Sequence, residues 1–464
     1  MPKQTAADTS AKYIFEDAPV KKAVSSMVMP TIISQLVLVV YNMADTWYVG
    51  LTNNANAVAA ISLCLPVYSL LTALSNLFGI GGAGVVARAM GRGDDSFAHK
   101  TFVTAVLGAF SAAAVYSLLI FFAGRRILFV IGADNGDIGY AVSYVRWTIA
   151  IGGIPTILTS VFGHLVRSCG NPKAASFGMM LGAFINILLD PLFMFVVLPS
   201  GHEVTGAAVA TAVSNVVSLV YFLVYILRRK NGTTFSLVRK SHSQGCFFEI
   251  LRGGMPGFCM VALAMLSNCF LNSMLSTLGS DAVAGIGIVR KIDQLAYAVN
   301  QGVTQGMLPI VAYCYAHGNF PRMKQTIVYC ALYTFVFSFA CMCVSIVFAP
   351  QLISFFIRSS ATIFYGSQFL RVICISIPVY SLTFVIIAVF QAVGRGIEPF
   401  ILSFLHKGTL DIFIMFYIYH VYGVSKITFS SPVSETAALI TGIVLLRRFL
   451  KKTDSKCSFK SSAV

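Results

Sequence analysis

The 464-residue sequence is short of charge, and of acidic charge above all: charged residues make up 11%, with 17 Asp and Glu against 33 Lys and Arg. Soluble domains carry roughly 25% charged residues. With 57% hydrophobic residues and a mean hydropathy of +0.80, the chain has too little polar surface to wrap a soluble core. A globular cytosolic enzyme and a disordered chain are therefore excluded. Histidine is scarce at 7 residues, and no clustered His/Asp/Glu motif occurs, which argues against a membrane enzyme. There is no GxxxxGK[ST] loop, so nothing supports ATP-driven transport by this chain, and no cofactor is expected. The 11 cysteines form no CxxC pair. Most, including Cys64, Cys259, Cys269, Cys330, Cys341, Cys343 and Cys374, sit in apolar runs and read as small buried hydrophobes. The first 22 residues are polar, with Lys3, Lys12, Lys21 and Lys22, and lack a cleavable signal pattern.

What the sequence has is long apolar runs. Reading for stretches of roughly 20 apolar residues gives twelve spans. They lie near 25–49, 57–84, 101–123, 139–166, 174–198, 205–227, 254–278, 282–312, 326–349, 361–392, 399–421 and 432–449. Their continuous apolar character fits helices, because barrel strands would alternate with period two. The fold class is thus an all-α polytopic membrane protein. Pro30, Pro66, Pro155, Pro191, Pro256, Pro309 and Pro378 fall in or near spans, where neighbouring helices can satisfy the freed carbonyls.

Twelve spans put both termini on one side. With the N-terminus taken as cytoplasmic, 24 Lys and Arg fall in cytoplasmic segments, Arg88 and Arg167 among them. Four fall outside (Arg125, Arg126, Arg358, Lys426) and five within spans (Arg146, Arg290, Lys291, Arg371, Lys407). This bias places both termini in the cytoplasm, and the net charge of +16 becomes an orientation signal with no need for nucleic acid. The expected organisation is a cytoplasmic tail over 1–23, an N-lobe over 24–228 and a basic cytoplasmic linker over 229–252. A C-lobe over 253–450 and a cytoplasmic tail over 451–464 complete it.

The halves repeat at an offset of 225 residues. Ala57-Val58-Ala59-Ala60-Ile61 matches Ala282-Val283-Ala284-Gly285-Ile286. Gly81 matches Gly306, Gly93 matches Gly318, and Tyr144-Val145-Arg146 matches Phe369-Leu370-Arg371. Two six-helix lobes of one orientation are machinery for alternating access, with a substrate site between them.

Few acids remain within the spans: Asp45, Asp190, Asp293, Asp411 and, near an end, Glu435. A carboxylate in lipid needs a partner, a cavity or a proton. Asp45 follows Tyr41 by four residues and Asp190 follows Asn186 by four, so each shares a helical face with its partner. Counting the helical rise puts both acids at comparable depth, about 8–12 Å below the outer boundary. They read as a shared pocket able to load a proton or hold Na⁺ with the Asn and Tyr oxygens. In the second half, Arg290 and Asp293 have the spacing of a structural ion pair, and Lys407 and Asp411 the spacing of another, with His406 adjacent. Asp411, Lys407, His406, Asp293 and Arg290 are the residues a second coupling or substrate-contact site would use. Glu435 follows Ser431-Pro432 and reads as compensating a helix dipole. Arg146 and Arg371 read as snorkelling. Part of the 37 Phe, 19 Tyr and 16 Met is expected to line a cavity suited to flat cations.

The stretches Tyr41–Gly50 (YNMADTWYVG) and Asn186–Phe193 (NILLDPLF), with the two homologous halves, resemble the multidrug and toxic compound extrusion (MATE) family. Gln305-Gly306, Pro309, Tyr313 and Gly318 are similar to its MepA-type bacterial branch. The resemblance covers about residues 20–450. It implies antiport: H⁺ or Na⁺ moves inward and a drug, often an organic cation, moves outward. It implies a cation site at Asp45, Tyr41, Asn186 and Asp190, with Thr211 after Gly206-Ala207-Ala208 as a further member, and Na⁺ held at Asp45, Asn186 and Asp190 if Na⁺ is the ion. Spans 7 and 10 hold no carboxylate, so the NorM-type C-lobe site is doubtful here. His406-Lys407 stands where the branch commonly has Arg. The chain is expected to work as a monomer in a bacterial cytoplasmic membrane. The alternative within the broader superfamily is a flippase for lipid-linked precursors or polysaccharide, which would need a strongly cationic central cavity.

Overall fold

The computed structural model describes residues 12–52, 55–134, 136–199, 201–228, 244–406 and 408–461. Its long helices are α1 (Val20–Gly50), α2 (Ala55–Gly91), α3 (Asp95–Ile131), α4 (Ile138–Ile151 and Gly153–Ser168, bent by 50°), α5 (Pro172–Val197) and α6 (Glu203–Arg228). The second half repeats the set: α7 (Gly245–Leu278), α8 (Ser280–His317), α9 (Phe320–Val347), α10 (Ser360–Ile373 and Ser376–Ala392, bent by 44°), α11 (Ile397–Tyr422) and α12 (Val424–Thr453). Among the described residues, nine helices are long and apolar enough to cross a membrane, and the two bent pairs bring the number to eleven. The twelfth, α8, is 38 residues long but carries Arg290, Lys291 and Asp293.

The repeat seen in the sequence is structural. The two bent spans are α4 and α10, and their breaks sit one repeat apart. Gly93 and Gly318 both take left-handed backbone after the second helix of their lobe, and Gly170 and Gly394 do so after the fourth. In the matched triplets, Tyr144 and Phe369 are buried while Arg146 and Arg371 face outward. Arg146 lies over the Phe121 ring, as a snorkelling arginine should.

Large apolar side chains such as Phe122, Val130, Leu188 and Phe413 stand on the outside of the bundle, which is where a lipid solvent puts them. The interior is knitted by small residues. Across the lobes, α8 packs on α1 and α2, and α2 packs on α7. At the first seam Gly302 and Gly306 meet α1. A Cβ on Gly302 would come within 2.6 Å of Ile32 Cα, and one on Gly306 within 2.8 Å of Val28 Cα. This is a four-residue glycine spacing that lets two backbones touch. At the second seam a Cβ on Gly254 would collide with the Leu77 carbonyl.

Two helices run past the expected segment bounds. Gln244–Leu275 is helical, so α7 begins inside the segment read as linker; residues 229–243 lie outside the described residues. The last helix runs on through Ser461 and enters the segment read as a tail. The N-terminal segment also does not hang free. Tyr13–Asp17 forms a π-helical turn whose Phe15 is buried and stacked on Tyr313 of α8, with ring centroids 4.8 Å apart. The Tyr313 hydroxyl donates to Glu16, and Arg322 donates to the Ile14 carbonyl at 2.9 Å. One apolar ring in a polar stretch was too weak a signal to call this docking.

The glycine seam makes a testable demand. Gly306→Val should lower the stability of the purified protein by about 1–3 kcal/mol through overpacking at α1. Gly287→Ala, in the same helix with open space around it, should be tolerated. Thermal unfolding in mild detergent separates the two; equal midpoints would dismiss the seam.

Candidate functional site

In the first lobe, α5 lies between α1 and α6. Close approach of α5 and α6 depends on Gly182, where a Cβ would strike the Ser218 hydroxyl. That contact sets Asn186 and Asp190 of α5 against Thr211 of α6, and all three are buried. With the Asn186 amide turned to satisfy its neighbours, Nδ2 donates to Asp190 Oδ2 at 2.9 Å while Oδ1 accepts from the Thr211 backbone N–H at 3.1 Å. Tyr41 lies close to the Thr211 side chain and within electrostatic reach of both Asp45 and Asp190. Asp45 Oδ1 is sealed from solvent with no hydrogen-bond partner. The structure thus brings the five residues singled out in the first lobe into one cluster. Pro191 follows Asp190 directly, and the helix continues as a π-helical segment over Phe193–Val197. Such segments cost regular bonding and recur at functional positions.

Two members escaped the sequence reading. Tyr68 of α2 and Tyr144 of α4 both sit within electrostatic reach of Asp45. Tyr144 could have been found: it is the repeat partner of Phe369 and differs from it by a hydroxyl.

Tyr41 and Asn186 also line a cavity of about 390 Å³ between the lobes. Its polar wall combines amides, among them Gln35, Asn76, Gln294 and Gln301, with Ser and Thr hydroxyls and His164. Among the described residues its lining holds no carboxylate, lysine or arginine, and Tyr rather than Phe supplies the aromatic part. Of the Phe, Tyr and Met expected to supply part of such a wall, Tyr41, Tyr68, Tyr297 and Met179 line this cavity, while many phenylalanines face outward or pack in the lobes.

The cavity is closed at the end that carries the start of α1. There Gln35 donates to Gln305 Oε1 at 3.1 Å, and Arg167 Nη1 donates to the same oxygen at 3.0 Å. Arg88 Nη1 donates to the Ala392 carbonyl at 2.9 Å and its Nη2 lies 3.7 Å from Glu249. A cation is favoured at that helix end, where carbonyls lack intrahelical partners. Arg88 and Arg167, counted among the cytoplasmic cations, are both buried between helices.

The second lobe rearranges the expected pairs. The Arg290–Asp293 ion pair does not form. Asp293 accepts from the Tyr380 hydroxyl at 2.9 Å, and Arg290 donates to the Asn268 carbonyl at 3.3 Å. Three residues of spacing permits that pair, but Tyr380 from α10 offers Asp293 a nearer partner. Asp411 accepts from Ser267 at 2.6 Å and from Ser434 at 3.3 Å, while Lys407 lies outside the described residues. Glu435 does not merely face a helix dipole: it bonds His406 Nδ1, and both side chains are buried. His406 sits edge-on to Phe384, 4.9 Å away, and is 6.3 Å from Tyr380. Asp293, Tyr380, His406 and Glu435 therefore follow one another through the lobe. Among the described residues no group of three His, Cys, Asp or Glu side chains could hold a metal ion.

A family profile described as MatE matches residues 30–192 and again 256–416, once in each lobe. The chain belongs to the MatE family. Members of this family are transporters, so the chain is not an enzyme. It is 29% identical to the multidrug export protein MepA of Staphylococcus saprophyticus over 94% of this chain and 95% of that one. It is 25% identical to MepA of Staphylococcus aureus, with the same coverage. Among solved structures, an outward-facing multidrug resistance MATE transporter of the MOP superfamily superposes with a TM-score of 0.89 at 23% identity, covering 98% of this chain and all of the other. A MOP superfamily transporter from Pyrococcus furiosus, described as having a binding pocket of reverse polarity, gives 0.89 at 23%, covering 97% and 99%. These likenesses establish the fold: twelve helices in two six-helix lobes.

The buried His406–Glu435 pair can be weighed. Glu435→Leu should cost about 3–5 kcal/mol, because it strands His406 in an apolar lobe. Adding His406→Phe should recover part of that loss, so that the double variant is less damaged than the sum of the single ones. Denaturation in mild detergent reads both; strict additivity would show that the two side chains are not coupled.

Proposed function

We propose that the chain is a multidrug efflux antiporter that exports amphipathic organic compounds, cations among them, in exchange for an inward-moving cation. The observation that carries this reading is the cluster of partly buried Tyr41 and Asp45 with buried Asn186, Asp190 and Thr211, which reaches an interlobe cavity through Tyr41 and Asn186. The export activity of the MepA relatives supports the substrate class. The flippase alternative loses ground, because the cavity lining holds no lysine or arginine to meet a pyrophosphate.

The coupling ion is read as H⁺. A sodium ion needs a shell of oxygens. In its satisfied orientation Asn186 turns its NH₂ group, not its oxygen, toward Asp190. The unpartnered Asp45 Oδ1 is then the place where a proton would enter. Protonation removes the mutual repulsion of Asp45 and Asp190 and frees α1 and α5 to repack. A ligand shifts this equilibrium only through its different affinity for the two states. Each charge moved through 100 mV supplies about 2.3 kcal/mol. With both termini cytoplasmic, the closed end of the cavity is the cytoplasmic one and the state described is outward-facing. The protein would work as a monomer in a bacterial cytoplasmic membrane.

Asp190→Asn and Asp45→Asn should each abolish coupled export while leaving expression intact. Proteoliposomes loaded with a fluorescent organic cation, under separately imposed pH and Na⁺ gradients, make the measurement. Wild-type rates from either variant would sink the coupling assignment, and a response to Na⁺ alone would replace H⁺.

A further inference from the structure

Below the central cavity, toward its closed end, lies a chamber of about 40 Å³. It shares His164, Gln301 and Gln305 with the larger space and adds Arg167 and Gln391. Arg167 is 1% exposed, the largest fully buried side chain described. Its Nη1 bonds Gln305, its Nη2 lies 3.7 Å from the Met179 sulfur, and its Nε is buried with no partner. Among the described residues it forms no ion pair. Phe384, Ile387 and Leu308 close the chamber with apolar surface. A guanidinium in such surroundings is costly unless a negative charge answers it. The remaining polar side chains around the space, from His164, Gln301, Thr304 and Gln391, include no acid; Thr304 donates to the Asn300 carbonyl and Gln301 to the Tyr297 hydroxyl, while the amide of Gln391 is a donor facing the space. A water occupies about 10–15 Å³ on this measure, so the chamber has room for a group the size of a halide or a carboxylate, and none for a whole drug.

We propose that this chamber is an anion site, in which a small monovalent anionic group is held between Arg167 of the first lobe and the glutamines of the second. Two sources offer that chemistry: a free inorganic or organic ion, or the carboxylate arm of a zwitterionic substrate lying in the cavity above. Either way the anion bridges the lobes where they are closed, and opening that end must release it. The substrate-arm source rests on the export reading given under Proposed function; the site itself does not.

The test starts with purified protein in a gluconate buffer, an anion too large for the chamber, titrated with bromide and with formate while the unfolding temperature is followed. A saturable rise is expected for the wild type and for Arg146→Gln, whose arginine is exposed. Apparent affinity should fall at least about tenfold in Arg167→Gln, the loss of a charge-assisted contact. If that variant does not fold, Gln305→Glu supplies a carboxylate beside the guanidinium and should make the unfolding temperature indifferent to the anion. A wild type that shows no saturable response overturns the proposal, as does an Arg167→Gln or Gln305→Glu variant that responds like the wild type. The source is then read in proteoliposomes with an amphipathic amine bearing a carboxylate and with its methyl ester. Equal export of both, dependent on bromide, identifies a free ion. Preferential export of the acid, inhibited by bromide and lost in Arg167→Gln, identifies the substrate arm. Failure of the antiport reading would appear as export indifferent to Asp190→Asn, and would leave the bromide titration unchanged.

Discussion

Helix α8 can lie within a membrane only because other helices cover it. It carries Arg290, Lys291, Asp293, Asn300, Gln301 and Gln305, a set that lipid would not accept on a bare helix. α1 and α2 of the opposite lobe, and α9 and α10 of its own, enclose it. Gly302 and Gly306 bring it against the α1 backbone. Its polar groups then face inward, Gln294, Gln301 and Gln305 into the central cavity and Asn300 toward Ser338. The polar interior of the transporter, its interlobe seam and its cavity wall are thus largely one element.

Around that element the two lobes divide the polar residues differently. The first gathers two carboxylates, tyrosines and an amide close to the cavity and leaves Asp45 Oδ1 without a partner. The second satisfies Asp293 with a phenol and Asp411 with two hydroxyls, and it buries Glu435 against His406. A repeat has been kept in backbone and lost in chemistry. The matched breaks of α4 and α10 keep the lobes mechanically alike, while of the acids only Asp190 on α5 and Asp411 on α11 lie on repeat-related helices, about one turn out of register.

How much of this was legible follows from what kind of signal each feature leaves. Spans leave long apolar runs, so twelve were readable, α8 included, although Arg290, Lys291 and Asp293 interrupt its run. The coupling cluster was readable because carboxylates are rare in such runs and because i,i+4 spacing ties Tyr41 to Asp45 and Asn186 to Asp190. The Arg290–Asp293 pair was misread for the same reason: spacing along one helix says nothing about Tyr380 arriving from another. Arg88 and Arg167 were legible only as cytoplasmic-side cations; that the other lobe covers these helix ends and buries both left no mark in the sequence. Phe15 had no pattern to announce it. Contacts between elements far apart in sequence were the part that composition and periodicity could not carry.

The docked N-terminal turn sets a mechanical limit. Tyr13–Asp17 is chained to the first lobe but seated on the second, and only Ala18 and Pro19 separate it from α1. Two extended residues reach about 7 Å. While Phe15 stays under Tyr313, the start of α1 cannot draw away from α8 by more than that leash allows. A wider separation would require Phe15 to leave its stack on Tyr313, so one aromatic contact limits how far these two helix ends can part.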